Sequence, residues 1–128
     1  MGSEDNYEMF TYTMTQLSDH GLAYLAVLDG DFAPGDLCKS RRVTAFDAKQ
    51  YFKGAVIANC SYTRDIAEGA IRSGAADLVG FGRLYIANPD LAERFENDWS
   101  LNAPVDAKYW WDGTHGAEGY NTPPAYSV

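Results

Sequence analysis

This sequence predicts a parallel α/β fold, on two observations. Three short apolar runs, at residues 22–28, 54–59 and 76–82, lack the polar alternation of a half-solvated strand; they suit strands covered on both faces, as in parallel sheets. The stretches around them carry apolar residues at helical spacing. Helix, strand, helix, strand, helix, strand, helix is the grammar of such folds. At 128 residues the chain holds one domain with a real core and not two.

Tyr7, Phe10, Met14 and Leu17 recur at helical spacing among Thr, Gln and Glu, so residues from about 5 to 20 read as an amphipathic helix closed by Gly21. The first strand is Leu22-Ala23-Tyr24-Leu25-Ala26-Val27-Leu28, ending in the turn-rich Asp29-Gly30-Asp31. Residues 32–53 are less regular: Pro34-Gly35-Asp36 is a turn, and Thr44 through Phe52 makes a short helix. Gly54-Ala55-Val56-Ile57-Ala58-Asn59 is the second strand. Thr63 is placed to cap a helix that buries Ile66, Ala67, Ala70 and Ile71 and ends at Gly74. Ala76 through Gly82 is the third strand, and Asn88-Pro89-Asp90 starts a last helix with proline at its first helical position and Leu91 and Phe95 on its apolar side. Residues 100–128, punctuated by Pro104, Pro123, Pro124, Gly113, Gly116 and Gly119, read as an extended, aromatic-rich tail.

Three strands are too few for a closed barrel, which takes about 250 residues. An isolated three-stranded parallel sheet leaves both edges and one helix layer incomplete.

Composition narrows the function. Ten Lys and Arg against eighteen Asp and Glu give a net charge of −8, with no basic footprint for nucleic acid or anionic lipid. No apolar run approaches the ~18 residues of a membrane span, and Met1-Gly2-Ser3-Glu4-Asp5 is too acidic for a secretory signal. A soluble, cytoplasmic protein is expected, with Cys38 and Cys60 as reduced thiols. Asn59-Cys60-Ser61 matches the N-glycosylation pattern, but Asn59 ends a buried strand and the chain lacks a secretory signal.

In α/β folds ligands lie beyond the carboxyl ends of the strands. Asn59-Cys60-Ser61-Tyr62-Thr63 there is small and polar and leads into a helix, while Gly82-Arg83 offers close backbone approach and a planar fork for an oxyanion. Two such turns backed by one arginine make a phosphate cradle. A tight turn at Gly82 and a surface ion pair at Arg83 explain the same residues equally well, so both readings stay open. His20 at a helix end suits the dipole better than catalysis. His115 has no acidic residue placed by sequence to orient it. Asp29 and Asp31 are carboxylates at the functional rim, with turn formation a commoner use than metal binding. Tyr109-Trp110-Trp111 either stacks on a planar ligand or closes an interface, and aromatics in a loop favour the ligand.

Four blocks carry a family resemblance: Gly21-Leu22-Ala23-Tyr24-Leu25; Val56-Ile57-Ala58-Asn59; the run from Ala76-Asp77-Leu78-Val79-Gly80-Phe81-Gly82-Arg83 through Leu84-Tyr85-Ile86-Ala87-Asn88-Pro89-Asp90-Leu91; and Gly116-Ala117-Glu118-Gly119-Tyr120. In order and spacing they resemble the C-terminal part of the Old Yellow Enzyme family, FMN-dependent NAD(P)H oxidoreductases that include the plant oxophytodienoate reductases.

The resemblance implies that residues 1–128 form a partial TIM-barrel domain, the α/β portion holding strands six to eight with their helices. It implies an ene-reductase that takes hydride from NAD(P)H through FMN to the C=C bond of an unsaturated carbonyl. Asn59, Cys60, Ser61, Gly82 and Arg83 are the implied cofactor-binding positions, with Tyr109, Trp110 or Trp111 lining the flavin and substrate. The family's catalytic side chains belong to an N-terminal half-barrel, the implied partner, and none is expected in this chain. Family members commonly carry glycine where Cys60 stands, which implies a strained, positive φ at this cysteine. The alternative is a noncatalytic half-barrel that binds a phosphate ligand or buries its open edges by self-association.

Overall fold

A computed structural model of the chain describes residues 3–29, 41–111, 113–119 and 121–127, with Trp111 described by its backbone alone. The element order is α1 (Asn6–Ser18), β1 (Tyr24–Leu28), α2 (Ala45–Tyr51), β2 (Ala55–Asn59), α3 (Arg64–Arg72), β3 (Leu78–Gly80), α4 (Arg83–Ala87), α5 (Leu91–Asn97), α6 (Lys108–Trp111) and a 3-10 turn at Gly113–His115. Two compact units make up the chain, Met1–Gly80 with the sheet and Phe81–Val128 with α4, α5 and α6. Asp31, Cys38, Tyr120 and the turn at residues 34–36 lie outside the described residues.

In the first unit the strands run parallel in the order β1-β2-β3. Leu25 pairs with Val56, Leu28 with Asn59, and Asn59 with Gly80, so the three carboxyl ends lie level. Val56 and Ala58 of the central strand are fully buried with Met14 of α1 and Ala45, Ala48 and Phe52 of the α2 segment, and Leu25, Val27 and Val79 pack on this core. Thr44 starts α2 with a capping box, its side chain accepting from the Asp47 amide while Asp47 accepts from the Thr44 amide. Lys49 of α2 reaches Asp77 at 2.7 Å, and Asp77 accepts from the Val56 amide at the start of the central strand.

The sheet corrects the expectation of strands covered on both faces. Tyr24, Leu28 and Leu78, on the side opposite α1 and α2, are 58%, 64% and 51% exposed. Continuous apolarity thus records a strand apolar on both sides, of which this unit covers one. The same applies to α3, where Ala67 is buried but Ile66 and Ile71, expected inside, are largely exposed.

A polar network organises the second unit. Asn88, fully buried, donates from Nδ2 to the Leu84 carbonyl and accepts from the Asn102 amide. Arg94, also buried, donates to Asp90 and to the Ser100 and Pro124 carbonyls. Tyr126 stacks on Trp99 with centroids 4.4 Å apart, and its amide donates to Asp90. The α5 start is shifted from expectation: Asp90 is the N-cap and Leu91 the first helical residue, leaving Pro89 outside. The tail is not wholly extended, since α6 and the 3-10 turn interrupt it.

Candidate anion-binding site

Asn59 ends the central strand, and the chain then turns sharply through two non-glycine residues in the left-handed region, Cys60 at φ 88° and Ser61 at φ 60°. Such backbone costs a residue with a Cβ on the order of 1–3 kcal/mol and persists only where surroundings enforce it. Cys60 is a buried free thiol. Its amide donates to Asn59 Oδ1 at 2.6 Å. Three residues beyond Cys60, Thr63 caps α3 by accepting from the Ile66 amide.

Asp29, just past β1, ties this turn down. Its amide donates to the Asn59 carbonyl at 3.2 Å, and its Oδ2 accepts from the Tyr62 hydroxyl and from the Ala45 amide at 2.9 Å each. Burial, together with the Asp29 carboxylate, pushes the Tyr62 hydroxyl up to about 12, so it stays a donor. Asp29 Oδ1 is buried without a hydrogen-bond partner. Asp29 therefore acts as a clamp joining the ends of β1 and β2 to the start of α2. From the sequence alone Asp29 reads as a turn or metal residue; Tyr62, directly after the strand-end turn, is the signal that points to the clamp. No cluster of three or more His, Cys, Asp or Glu able to hold a metal occurs among the described residues.

In the second unit, Gly82 is the N-cap of α4 and a Cβ there would meet open space. Arg83 follows, exposed, with its guanidinium carbon 5.9 Å from the centre of the Trp110 ring. Trp110 Nε1 is buried with no hydrogen-bond partner. A buried, orphaned donor beside an arginine is the chemistry of a site for an acceptor or anion. Tyr109 is engaged otherwise: its hydroxyl donates to Glu118, His115 meets its ring edge-on at 5.0 Å, and Gly119 leaves the space it fills. The structure thus gathers Asn59, Cys60 and Ser61 in one turn of the first unit, and Arg83 beside Trp110 in the second. His20 lies exposed past the end of α1.

The sequence pattern of the family described as NADH:flavin oxidoreductase / NADH oxidase matches residues 5–102. The chain belongs to this Old Yellow Enzyme family. It is 34% identical over 121 residues to a probable flavin mononucleotide-dependent alkene reductase of Leishmania infantum, covering 94% of this chain and 31% of that protein. With the 12-oxophytodienoate reductase-like protein of Solanum lycopersicum it shares 36% identity over 96 residues, 75% of this chain and 24% of that one. The solved old yellow enzyme from Trypanosoma cruzi superposes with a TM-score of 0.79 at 32% identity, over 96% of this chain and 31% of that structure. This Old Yellow Enzyme family chain therefore spans less than a third of the length of these relatives, and its three parallel strands align to part of the solved fold. No helix among its described residues is long and apolar enough to cross a membrane.

Proposed function

We propose that this chain is the phosphate-anchoring, C-terminal portion of an FMN-dependent ene-reductase, supplying strands six to eight of a TIM barrel. The observation that carries the reading is the left-handed pair Cys60 and Ser61 at the carboxyl end of the central strand, where a parallel α/β fold binds its ligand and where the family commonly has glycine. The orphaned Trp110 N–H beside Arg83 supports it from the second unit.

On this reading the amides of Cys60 and Ser61 hold phosphate oxygens, and the family resemblance gives the Gly82 backbone and the Arg83 fork of the second unit the same duty. Trp110 presents its ring and N–H to the isoalloxazine or the substrate. When bound, FMN supplies the hydride relay from NAD(P)H to the C=C bond of an unsaturated carbonyl. The chain's own residues anchor and orient; carbonyl binding and proton donation fall to further polypeptide, which would also cover Tyr24, Leu28 and Leu78.

Flavin fluorescence titrations test the proposal. The chain should bind FMN more tightly than riboflavin, which lacks the phosphate. Arg83→Ala should lower FMN affinity by about tenfold or more, Arg83→Lys should recover only part, and riboflavin should be indifferent to both. Equal affinity for the two flavins, or an Arg83→Ala chain that binds FMN as before, would sink it.

A further inference from the structure

The Cys60 amide, one of the donors assigned to phosphate above, already holds an oxygen from within the chain. Asn59 Oδ1 stands 2.6 Å from it. The carboxamide rests against Gly80 in the neighbouring strand, where a Cβ would come within 3.1 Å of Asn59 Nδ2, so glycine there leaves room for it. The turn does not depend on that contact. Asp29 fixes it from the other side, through its amide to the Asn59 carbonyl and through its carboxylate to the Tyr62 hydroxyl. Asn59 is only half-buried, and rotation about its two side-chain bonds moves Oδ1 away without disturbing the backbone.

We propose that Asn59 is a displaceable internal ligand: its side-chain carbonyl satisfies the Cys60 donor in the free chain and gives way to a phosphate oxygen on binding. This rests on the reading of Cys60 as a phosphate contact. A neutral carbonyl suits the task. It spares the amide the cost of an unmade bond, yet yields to a charged acceptor, whose hydrogen bonds are roughly twice as strong. Asn59 thereby lowers affinity for the anion while it satisfies the Cys60 donor in the free chain.

The test compares the unmutated chain with Asn59→Ala and Asn59→Asp, each titrated with FMN and riboflavin. Removing the competitor should tighten FMN binding about three- to tenfold in Asn59→Ala, the scale of one exchanged hydrogen bond. A carboxylate that holds the donor and repels phosphate should weaken it about tenfold in Asn59→Asp, with riboflavin unchanged throughout. A purely structural acceptor predicts the opposite order, because aspartate keeps the contact and alanine loses it. That order, or FMN affinities indifferent to residue 59, overturns the inference while FMN preference over riboflavin leaves the cradle standing. No preference for FMN in any of the three overturns both. The unmutated chain gives a second readout by NMR: on adding FMN, the Asn59 carboxamide and Cys60 amide signals must move together. A Cys60 shift with the Asn59 signals still in place overturns the inference.

Discussion

Cys60 holds a left-handed backbone, at φ 88°. Glycine adopts that backbone without penalty, so Cys60→Gly should stabilise the chain by about 1 kcal/mol and raise Tm by a few degrees in a calorimetric scan. A lower Tm would mean that packing of the buried thiol outweighs the strain. Among the described residues, three carboxylates are held below their ordinary range and contribute to the response to acid. The Lys49 hydrogen bond and then the Val56 amide hold Asp77 below the usual carboxylate range. The Tyr126 amide and then Arg94 do the same for Asp90. Burial pushes Asp47 up, but Thr44, Tyr7 and Arg41 together bring it down. A folded-state pKa below the unfolded one stabilises fully above the unfolded value, near pH 4, and is lost as pH falls through the folded value. The chain should therefore hold constant stability from neutral pH to about pH 5 and lose it steeply below about pH 4, with a shallower slope in Asp77→Asn. Urea midpoints measured against pH decide this; an unchanged slope would remove Asp77 from the account. At this scale the positive φ of Cys60 was legible through the family's glycine, whereas the carboxamide of Asn59 on the Cys60 amide was not. No spacing rule tells whether a strand-end side chain folds back on its own neighbour.

Helices report how much of a boundary the sequence can write. The capping box of α2 is local chemistry, and Thr44→Ala should cost about 1 kcal/mol in chemical denaturation, with Thr44→Ser recovering most of it. A loss within error would mean that Ala45, Ala48 and Phe52 hold α2 without its cap. Where an end is decided at a distance, the sequence misplaces it by two residues or hides the element. Pro89 was expected as the first residue of α5, but Asp90 is drawn out as the cap while its carboxylate serves Arg94 and the Tyr126 amide, thirty-six positions on. The five-residue α4 follows β3 after only two residues, too short to show an apolar period. Periodicity correctly located α3, but its outward-facing Ile66 and Ile71 show that period reports which residues want cover and not whether cover is supplied.

For the whole chain, alternation of three strands and their helices was enough to read a parallel sheet. Its open face was hidden, because a strand apolar on both sides reads the same with one layer of helices or two. Tyr24, Leu28 and Leu78 form an apolar surface that water should not be left to wet. The isolated chain should therefore self-associate at micromolar concentration in light scattering, and Leu28→Lys should lower the apparent mass with the circular dichroism unchanged. A strictly monomeric unmutated chain would show that this face tolerates solvent. On the proposed reading the remaining flavin walls and the acid and oxyanion donors belong to further polypeptide, so for the chain alone NAD(P)H consumption with a simple enone should stay at least a hundredfold below a complete ene-reductase, given about two powers of ten for each such donor. Robust turnover would mean that no further wall is needed. The buried guanidinium of Arg94 has a further outcome, in proteolysis. Trypsin must draw several residues of extended chain into its cleft, and at Arg94 those residues are the wound turns of α5, roped to Ser100 and Pro124. Arg72 and Lys108 lie at the surface. Cleavage after Arg94 should trail theirs and keep time with each opening of the second unit, making one peptide bond a clock for that half of the chain.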